Sequence, residues 1–191
     1  MGARNEAKRR WLAGTTGIAL ALCLGALPVR AQDATSTSDR LAGPPADANR
    51  NAPGVAYDAL QADAAIAACE QAVRLQPAIA RFSFQLARAL SKTDRWPEAL
   101  PLYERLAQAG YATATFNLAA FHLDGRGVPQ DTARGLALLQ QAADQGMAGA
   151  LARLGGIHLE GKYVTRDPAA AAAFYSRAAD LGDAQAMAQL A

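Results

Sequence analysis

The sequence predicts an all-α fold: a right-handed superhelical solenoid of helix-turn-helix repeats. Two observations indicate it. The segment 117–128 recurs 36 residues later at 153–164, and the same offset relates Asp131 to Asp167 and Gly146 to Gly182. Apolar residues also recur at helical spacing within each copy. A helical unit of this length cannot bury its apolar face alone, so neighbouring units must stack, and such stacks mostly present surfaces to partners.

The first 31 residues predict a cleaved secretory signal peptide. A positive flank at 8–10 precedes an uncharged apolar run over 11–27, and Val29 and Ala31 suit a cleavage site directly after Ala31. An uncleaved membrane anchor is the alternative, although the run is near the minimum length that spans a bilayer. We therefore expect a periplasmic or secreted protein with no membrane span after signal cleavage.

The charge and cysteine content change once residues 1–31 are set aside. That segment contributes +4 to a formal net charge of +2, so the remainder carries −2 and gives no basic signal for nucleic acid. Cys23 leaves with the signal and Cys69 remains alone, which excludes an internal disulfide. Residues 32–54 are rich in small and polar residues, with Leu41 the one large aliphatic side chain before Val55, and predict a disordered linker.

The remaining residues, 55–191, predict one repeat domain of about seven helices. Its helix boundaries follow from local chemistry. Asp131 and Asp167 are predicted N-caps of the second helices, whose ends are predicted at Gly146 and Gly182. The earlier helices are expected at about 62–75, 81–90 and 97–109. The units are predicted at about 77–110, 111–146 and 147–182, with a C-terminal partial helix over 183–191.

The repeated residues resemble the Sel-one-like repeat, a relative of the tetratricopeptide repeat with a longer loop between its two helices. The resemblance covers about residues 62–191, and it is strongest in the two later units. Its marks in the last unit are Leu154, Gly155, Gly161, Val164, Asp167, Ala173, Ala178, Ala179 and Gly182. Two departures stand out: Tyr163 replaces the loop glycine seen as Gly127, and His122 and His158 stand where the family usually has tyrosine. The resemblance implies an interaction scaffold, and secreted bacterial members commonly bind other proteins.

No residue pattern in the chain indicates catalysis, a cofactor or a metal. His122 and His158 occupy equivalent positions of successive units, and stacked helices lie about 8–10 Å apart, too far for a shared metal ion. Cys69 lies on the apolar stripe of a helix, where cysteine behaves as a small hydrophobic residue. No nucleophile motif, zinc motif or phosphate loop occurs. We therefore expect a non-enzymatic protein.

The predicted functional surface is the concave groove, whose partner is expected to be another protein or a peptide. The tetratricopeptide pattern assigns its lining, residue by residue, to the first helix of each unit. The predicted lining residues are Arg81, Phe84, Arg88, Ser91, Lys92, Thr113, Phe116, Ala120, Leu123, Asp124, Gly149, Ala152, Gly156, Leu159 and Glu160. Phe84 and Phe116 would be aromatic anchors for an extended or helical peptide. Two alternatives stay open. These residues are ordinary solvated or packing positions, or the protein binds cell wall or polysaccharide. The second alternative is disfavoured because few tryptophans are available to contact a sugar: Trp96 is the one tryptophan after position 31.

Overall fold

The computed structural model describes residues 29–43 and 55–190 of the chain. Every regular element within these residues is a helix, and together the helices form an all-α repeat solenoid. The helices are α1 (Val29–Ala42), α2 (Ala62–Leu75), α3 (Ala80–Lys92), α4 (Trp96–Gln108), α5 (Ala112–Asp124), α6 (Thr132–Asp144), α7 (Ala148–Glu160), α8 (Pro168–Asp180) and α9 (Ala184–Leu190). Consecutive helices pack as pairs, from α1 with α2 to α7 with α8, and α9 packs on α8.

The predicted helix boundaries of the two later units are confirmed. The Asp131 carboxylate accepts a hydrogen bond from the Arg134 backbone N–H at 2.9 Å, and Asp167 accepts from two backbone N–H groups at 3.0 Å each. Both carboxylates therefore satisfy donors that the first helical turn leaves free. Gly146 and Gly182 follow the helix ends with φ of +84° and +85°, which glycine adopts without the strain that a Cβ would cause.

The core runs without interruption between the helices of each pair and between pairs. Leu118 and Leu154 occupy equivalent positions of α5 and α7 and are 3% and 4% exposed. Small residues bring the helices close: a Cβ on Gly155 would lie 3.0 Å from the Tyr175 ring. Equivalent positions are therefore buried in successive units, as stacking requires.

The prediction of a disordered linker over 32–54 is wrong for its first part, because residues 32–42 belong to α1. This helix packs on α2 and α3, with Ser38, Asp39 and Ala42 fully buried. Its composition is more polar than that of an ordinary core helix, and its buried polar groups Ser38 and Asp39 have hydrogen-bond partners on α2 and α3. Residues 44–54 lie outside the described residues.

The helix pair α1/α2 also extends the described array by one pair upstream of the predicted start at about residue 77. The predicted signal segment lies outside the described residues up to position 28, and the predicted cleavage site falls in the first turn of α1. In the part of the chain that the structure describes, no helix combines the length and the apolar character needed to cross a membrane.

Candidate partner-binding groove

Helices α3, α4 and α5 surround a cavity of about 310 Å³. Six of the predicted groove residues line it, three from α3 and three from α5: Phe84, Arg88, Ser91, Thr113, Phe116 and Ala120. The remaining wall residues are Tyr57, Trp96, Tyr103, Asn117, Phe121, Arg126 and Met147. Two helices that are not consecutive in sequence thus contribute equivalent positions to one site, as the repeat pattern predicts.

Aromatic rings form much of the cavity wall and are fixed by contacts with one another. Phe84 and Tyr103 meet edge to face with ring centroids 5.9 Å apart, and Tyr103 lies 5.4 Å from Phe121. Trp96, the first residue of α4, packs edge to face on Phe121 at 5.5 Å. Burial raises the pKa of Tyr103 to about 12, so its hydroxyl stays protonated, and it accepts a hydrogen bond from the Asn117 amide at 3.5 Å. The rings offer a rigid apolar surface with few polar groups.

Arg88 is the buried cation of this cavity, with 6% of its surface exposed. Its guanidinium donates to the backbone carbonyl oxygens of Ala42 at 2.6 Å and Val55 at 3.1 Å. Burial lowers its pKa. Among the described residues, no carboxylate forms an ion pair with it. A charged side chain is therefore held in the wall by neutral partners alone.

A second arginine, Arg126, lies in the loop after α5 and is more exposed. Its guanidinium is 3.2 Å from Asp124, which also accepts a hydrogen bond from the Tyr163 hydroxyl at 3.0 Å. The predicted groove residue Asp124 therefore lies at the end of α5 and holds Arg126 rather than lining the cavity itself. Glu160 is at the equivalent end of α7, exposed and outside the cavity.

The N-terminal part of the predicted groove is covered. Arg81 does not face the cavity, because its guanidinium pairs with the Asp39 carboxylate of α1 at 3.2 Å. Lys92 lies over the Tyr57 ring at 5.1 Å and donates to the Asp58 carbonyl oxygen at 3.4 Å. The prediction that Arg81 and Lys92 are free to contact a partner in the groove is therefore incorrect, because both side chains contact an earlier part of the same chain.

The contact between α1 and α3 is polar and buried. The Gln85 amide donates to Asp39 at 2.7 Å, and the Ser38 hydroxyl donates to the Gln85 side-chain oxygen. The same hydroxyl lies 3.1 Å from the Cys69 sulfur. Burial raises the pKa of Cys69 to about 12, which keeps the sulfur a thiol and gives it no nucleophilic character.

Seven wall residues were missed by reasoning from sequence: the aromatic residues Trp96, Tyr103 and Phe121, and four others. Tyr57 precedes the first helix predicted, Arg126 lies in a loop, and Met147 precedes α7, so none belongs to the first-helix positions of the pattern. Asn117 does lie on α5, one residue before Leu118, and its spacing from Thr113 by one helical turn could have indicated it.

The two histidines are separate and lie between the helices of their own units. Arg134 donates to the His122 Nε2 at 3.3 Å, and His158 stacks on the Phe174 ring with centroids 5.4 Å apart. Burial, with a smaller contribution from the Arg134 charge, lowers the pKa of His122. The Nδ1 atoms of both His122 and His158 are buried without a hydrogen-bond partner among the described residues. Within the described residues, no cluster of histidine, cysteine and carboxylate side chains has the arrangement of a metal site.

Comparison with known families identifies the two later units. The model of the Sel1 repeat matches residues 112–147 and 148–183, which are the helix pairs α5/α6 and α7/α8. Residues 112–183 thus match the Sel1 repeat twice in succession. The pairs α1/α2 and α3/α4 lie outside the matched segments, in line with the looser pattern of the earlier unit. Comparison with curated protein sequences gives no match.

Solved structures of Sel1-type repeat proteins share the fold. A Sel1 repeat protein from Oxalobacter formigenes is 26% identical, with a TM-score of 0.54 over 64% of this chain and 54% of that one. The protein c5321, a protective antigen of uropathogenic Escherichia coli strains with an SLR fold, is 23% identical, with a TM-score of 0.59 over 84% of this chain and 32% of its own. This chain therefore spans about half of the first protein and a third of the second. Sel1 repeats generally form protein-interaction scaffolds and are typically non-catalytic.

Proposed function

We propose that this Sel1-repeat protein is a scaffold or regulatory adaptor of the bacterial envelope that binds another protein or a peptide along its concave groove. The cavity between α3 and α5 is the observation that carries the proposal. It combines Phe84, Thr113 and Phe116, three predicted groove residues from two units, into one concave site. Sites that bind peptides or ligands are typically concave, mostly apolar and provided with a few polar groups at fixed positions.

The physical properties of the wall suit a protein partner. Burial of a large apolar side chain against fixed aromatic rings gives most of the binding energy of many interfaces, and the rings lose little conformational freedom when they bind. Phe116 is half-buried and accessible from the groove, so a partner's side chain can pack on it. The polar groups Ser91 and Asn117 beside it would orient a partner's backbone.

The envelope location rests on the sequence of residues 1–31, with its positive flank, apolar run and small residues at the expected cleavage site. Intact-mass measurement of the protein recovered from the cell envelope tests it. A chain that begins at residue 32 supports export with cleavage, whereas a chain that keeps Met1 and is found in the cytosol contradicts it.

Affinity capture from envelope extract tests the binding function. The bait is protein produced from the full chain, compared with a variant that carries Phe116→Ala and Arg126→Gln. Arg88 is left intact because its hydrogen bonds hold α1 and the Val55 carbonyl. Arg74→Gln is the matched control, since Arg74 is an exposed arginine of α2 paired with Glu70 at 3.9 Å and lies outside the cavity.

A partner retained by the parent and by Arg74→Gln, but lost with the double variant, supports the groove. Partners retained equally by all three baits would move the site elsewhere. Recovery of sedimented cell wall or polysaccharide in place of a protein would support the alternative function and contradict this one.

A further inference from the structure

The groove is closed on the side of α1. The two carbonyl oxygens that Arg88 binds belong to the C-terminus of α1 and to Val55, and the Val55 N–H donates to the Gly43 carbonyl at 2.7 Å. Tyr57 follows directly, under the side chains of Arg88 and Lys92, and forms one wall of the cavity. A polypeptide that enters the groove from the α7 side therefore meets α1 and Tyr57 and cannot continue along α3.

The spacing of the first helices explains why the cavity lies where it does. α1 packs directly on α3 through Asp39, Gln85 and Arg81, so no space remains between these two helices. α3 and α5 are not in comparably close contact, and the space between them is the cavity. The concave surface is thus filled between α1 and α3 and open between α3 and α5.

The charged side chains that line the cavity in the described part of the chain are all positive. Among the described residues that line it, the charged side chains are those of Arg88 and Arg126, and none is a carboxylate. Within the part of the chain that the structure describes, the Arg88 guanidinium donates to neutral carbonyl oxygens and has no counter-ion, although a buried cation is most stable beside a counter-ion with matched hydrogen bonds. Asp124 balances Arg126 from outside the wall, which leaves the cavity itself with excess positive charge.

We propose that this cavity binds the C-terminus of a partner polypeptide, with a large apolar last side chain against the aromatic wall and the terminal carboxylate beside Arg88 and Arg126. The inference rests on the proposed binding function and names the chemistry of its partner. A chain end fits a groove that is closed at one end, whereas an internal segment needs an exit. The carboxylate supplies the anion that Arg88 lacks, in the planar geometry that a guanidinium binds best.

The size of the cavity agrees with this occupant. Its volume of about 310 Å³ is at the lower end of the range for ligand pockets, enough for one large side chain with a terminal carboxylate but not for a folded element. Phe84 and Trp96 would bound the side chain, and Asn117 lies within the same wall to bind a backbone amide.

Fluorescence anisotropy with synthetic peptides tests the proposal on protein produced from the full chain. The probes are N-terminally labelled hexapeptides of a Gly-Ser spacer that end in Phe, Leu, Trp or Ser, each as the free acid and as the C-terminal amide. A third form of each carries three further Gly-Ser residues after the apolar side chain. We expect the free acids ending in Phe, Leu or Trp to bind at least about tenfold more tightly than their amides and their extended forms, because a hydrogen-bonded charge pair is lost in each.

Three arginine variants test where the terminal carboxylate of the peptide binds. Arg126→Gln is exposed and should leave the fold intact while it reduces the preference for acid over amide several-fold, and Arg74→Gln should change nothing. Arg88→Gln is expected to remove the preference, but it also releases α1, so its circular dichroism and thermal midpoint are compared with the parent first. Arg126→Gln keeps the test valid if Arg88→Gln does not fold.

Equal affinity for acids and amides, equal affinity for terminal and extended peptides, or no binding by any free acid would each overturn the proposal. These failures are distinct from failure of the proposed function. If the envelope capture still yields a partner that depends on Phe116, the groove binds protein but not a chain end, whereas loss of both results removes the binding function itself.

Discussion

Replacement of Asp39 by alanine is expected to release α1 from α3 without unfolding the later repeats. Asp39 is fully buried and accepts hydrogen bonds from Gln85 at 2.7 Å and from Arg81 at 3.2 Å. Alanine removes the acceptor but leaves both donors in place. Because each unit of a repeat array contacts only its neighbours, the loss should be confined to the first helix pair and α3.

The magnitude follows from the two donors. The Gln85 amide is fully buried, and a buried donor without an acceptor costs about 1–3 kcal/mol. Removal of one partner of a buried ion pair costs about 3–5 kcal/mol, but the Arg81 side chain is 17% exposed and can turn toward water, so we assign it much less. We expect the docking of α1 to weaken by about 2–3 kcal/mol in total.

Modification of Cys69 reports this docking directly. Its sulfur lies 3.1 Å from the Ser38 hydroxyl of α1, and burial raises its pKa to about 12, so it reacts only when α1 has moved away. A loss of about 2 kcal/mol should raise the rate of its alkylation by N-ethylmaleimide about 30-fold. Mass spectrometry of the peptide that contains Cys69 separates it from Cys23.

Asp58→Ala serves as the control, since it removes an exposed carboxylate from the same region and should leave the rate unchanged. If Asp39→Ala alters the rate of Cys69 modification by less than about twofold, or if the parent protein already reacts at the rate of a free thiol, α1 is not docked in solution. The account given above for the closed end of the groove would then be wrong.

Three further predictions concern the repeats. Gly127→Ala should lower the free energy of unfolding in urea by more than about 2 kcal/mol, because φ is +70° and a Cβ would lie 2.4 Å from the Trp96 side chain. Gly146→Ala, with φ of +84° and open space around the Cβ, should cost only about 1 kcal/mol. Similar values for both variants would refute the steric argument. Tyr163 has φ of +72° and also packs on the core, so Tyr163→Gly is compared with Tyr163→Ala, which loses the same ring but keeps a Cβ. The glycine variant should be more stable by about 1 kcal/mol, and equal stabilities would show that the strain is negligible. The pKa of His122 is lowered in the folded state from the ordinary value of 6.5. The contribution of neutral His122 to stability is therefore complete above pH 6.5 and is lost as the pH falls through the folded pKa. The thermal midpoint of His122→Gln should fall less on acidification than that of the parent, and parallel curves would contradict this linkage.

The fold of the later units could be predicted from sequence because their signals are local and occur twice. Asp131 and Asp167 act within one helical turn, and Gly146 and Gly182 act at a single φ angle. Each position is thus decided by neighbours a few residues away, which a sequence displays directly. The groove positions on α3 and α5 followed from the same regularity.

The role of α1 could not be predicted, because its stabilising partners are about 46 residues away in the chain. Asp39 and Ser38 look like residues of a linker until Gln85 and Arg81 are placed beside them. One signal was present: Gln85 and Arg88 lie on the face of α3 that its neighbours bury, where unpaired polar groups are costly. Their presence there indicated that a polar partner had to come from elsewhere.

The same polar contact gives the array a defined beginning. The positions of α5 that correspond to Arg81, Gln85 and Arg88 are Thr113, Asn117 and Ala120. This set carries no positive charge and has shorter side chains, so it does not reproduce the charge-assisted contact that α3 makes with the buried carboxylate. Stacked units of similar shape could otherwise exchange places or pair out of order. A chain lengthened or shortened by whole 36-residue units after α4 would therefore keep its N-terminal pair in the same place, so the number of repeats can change while the start of the stack stays fixed.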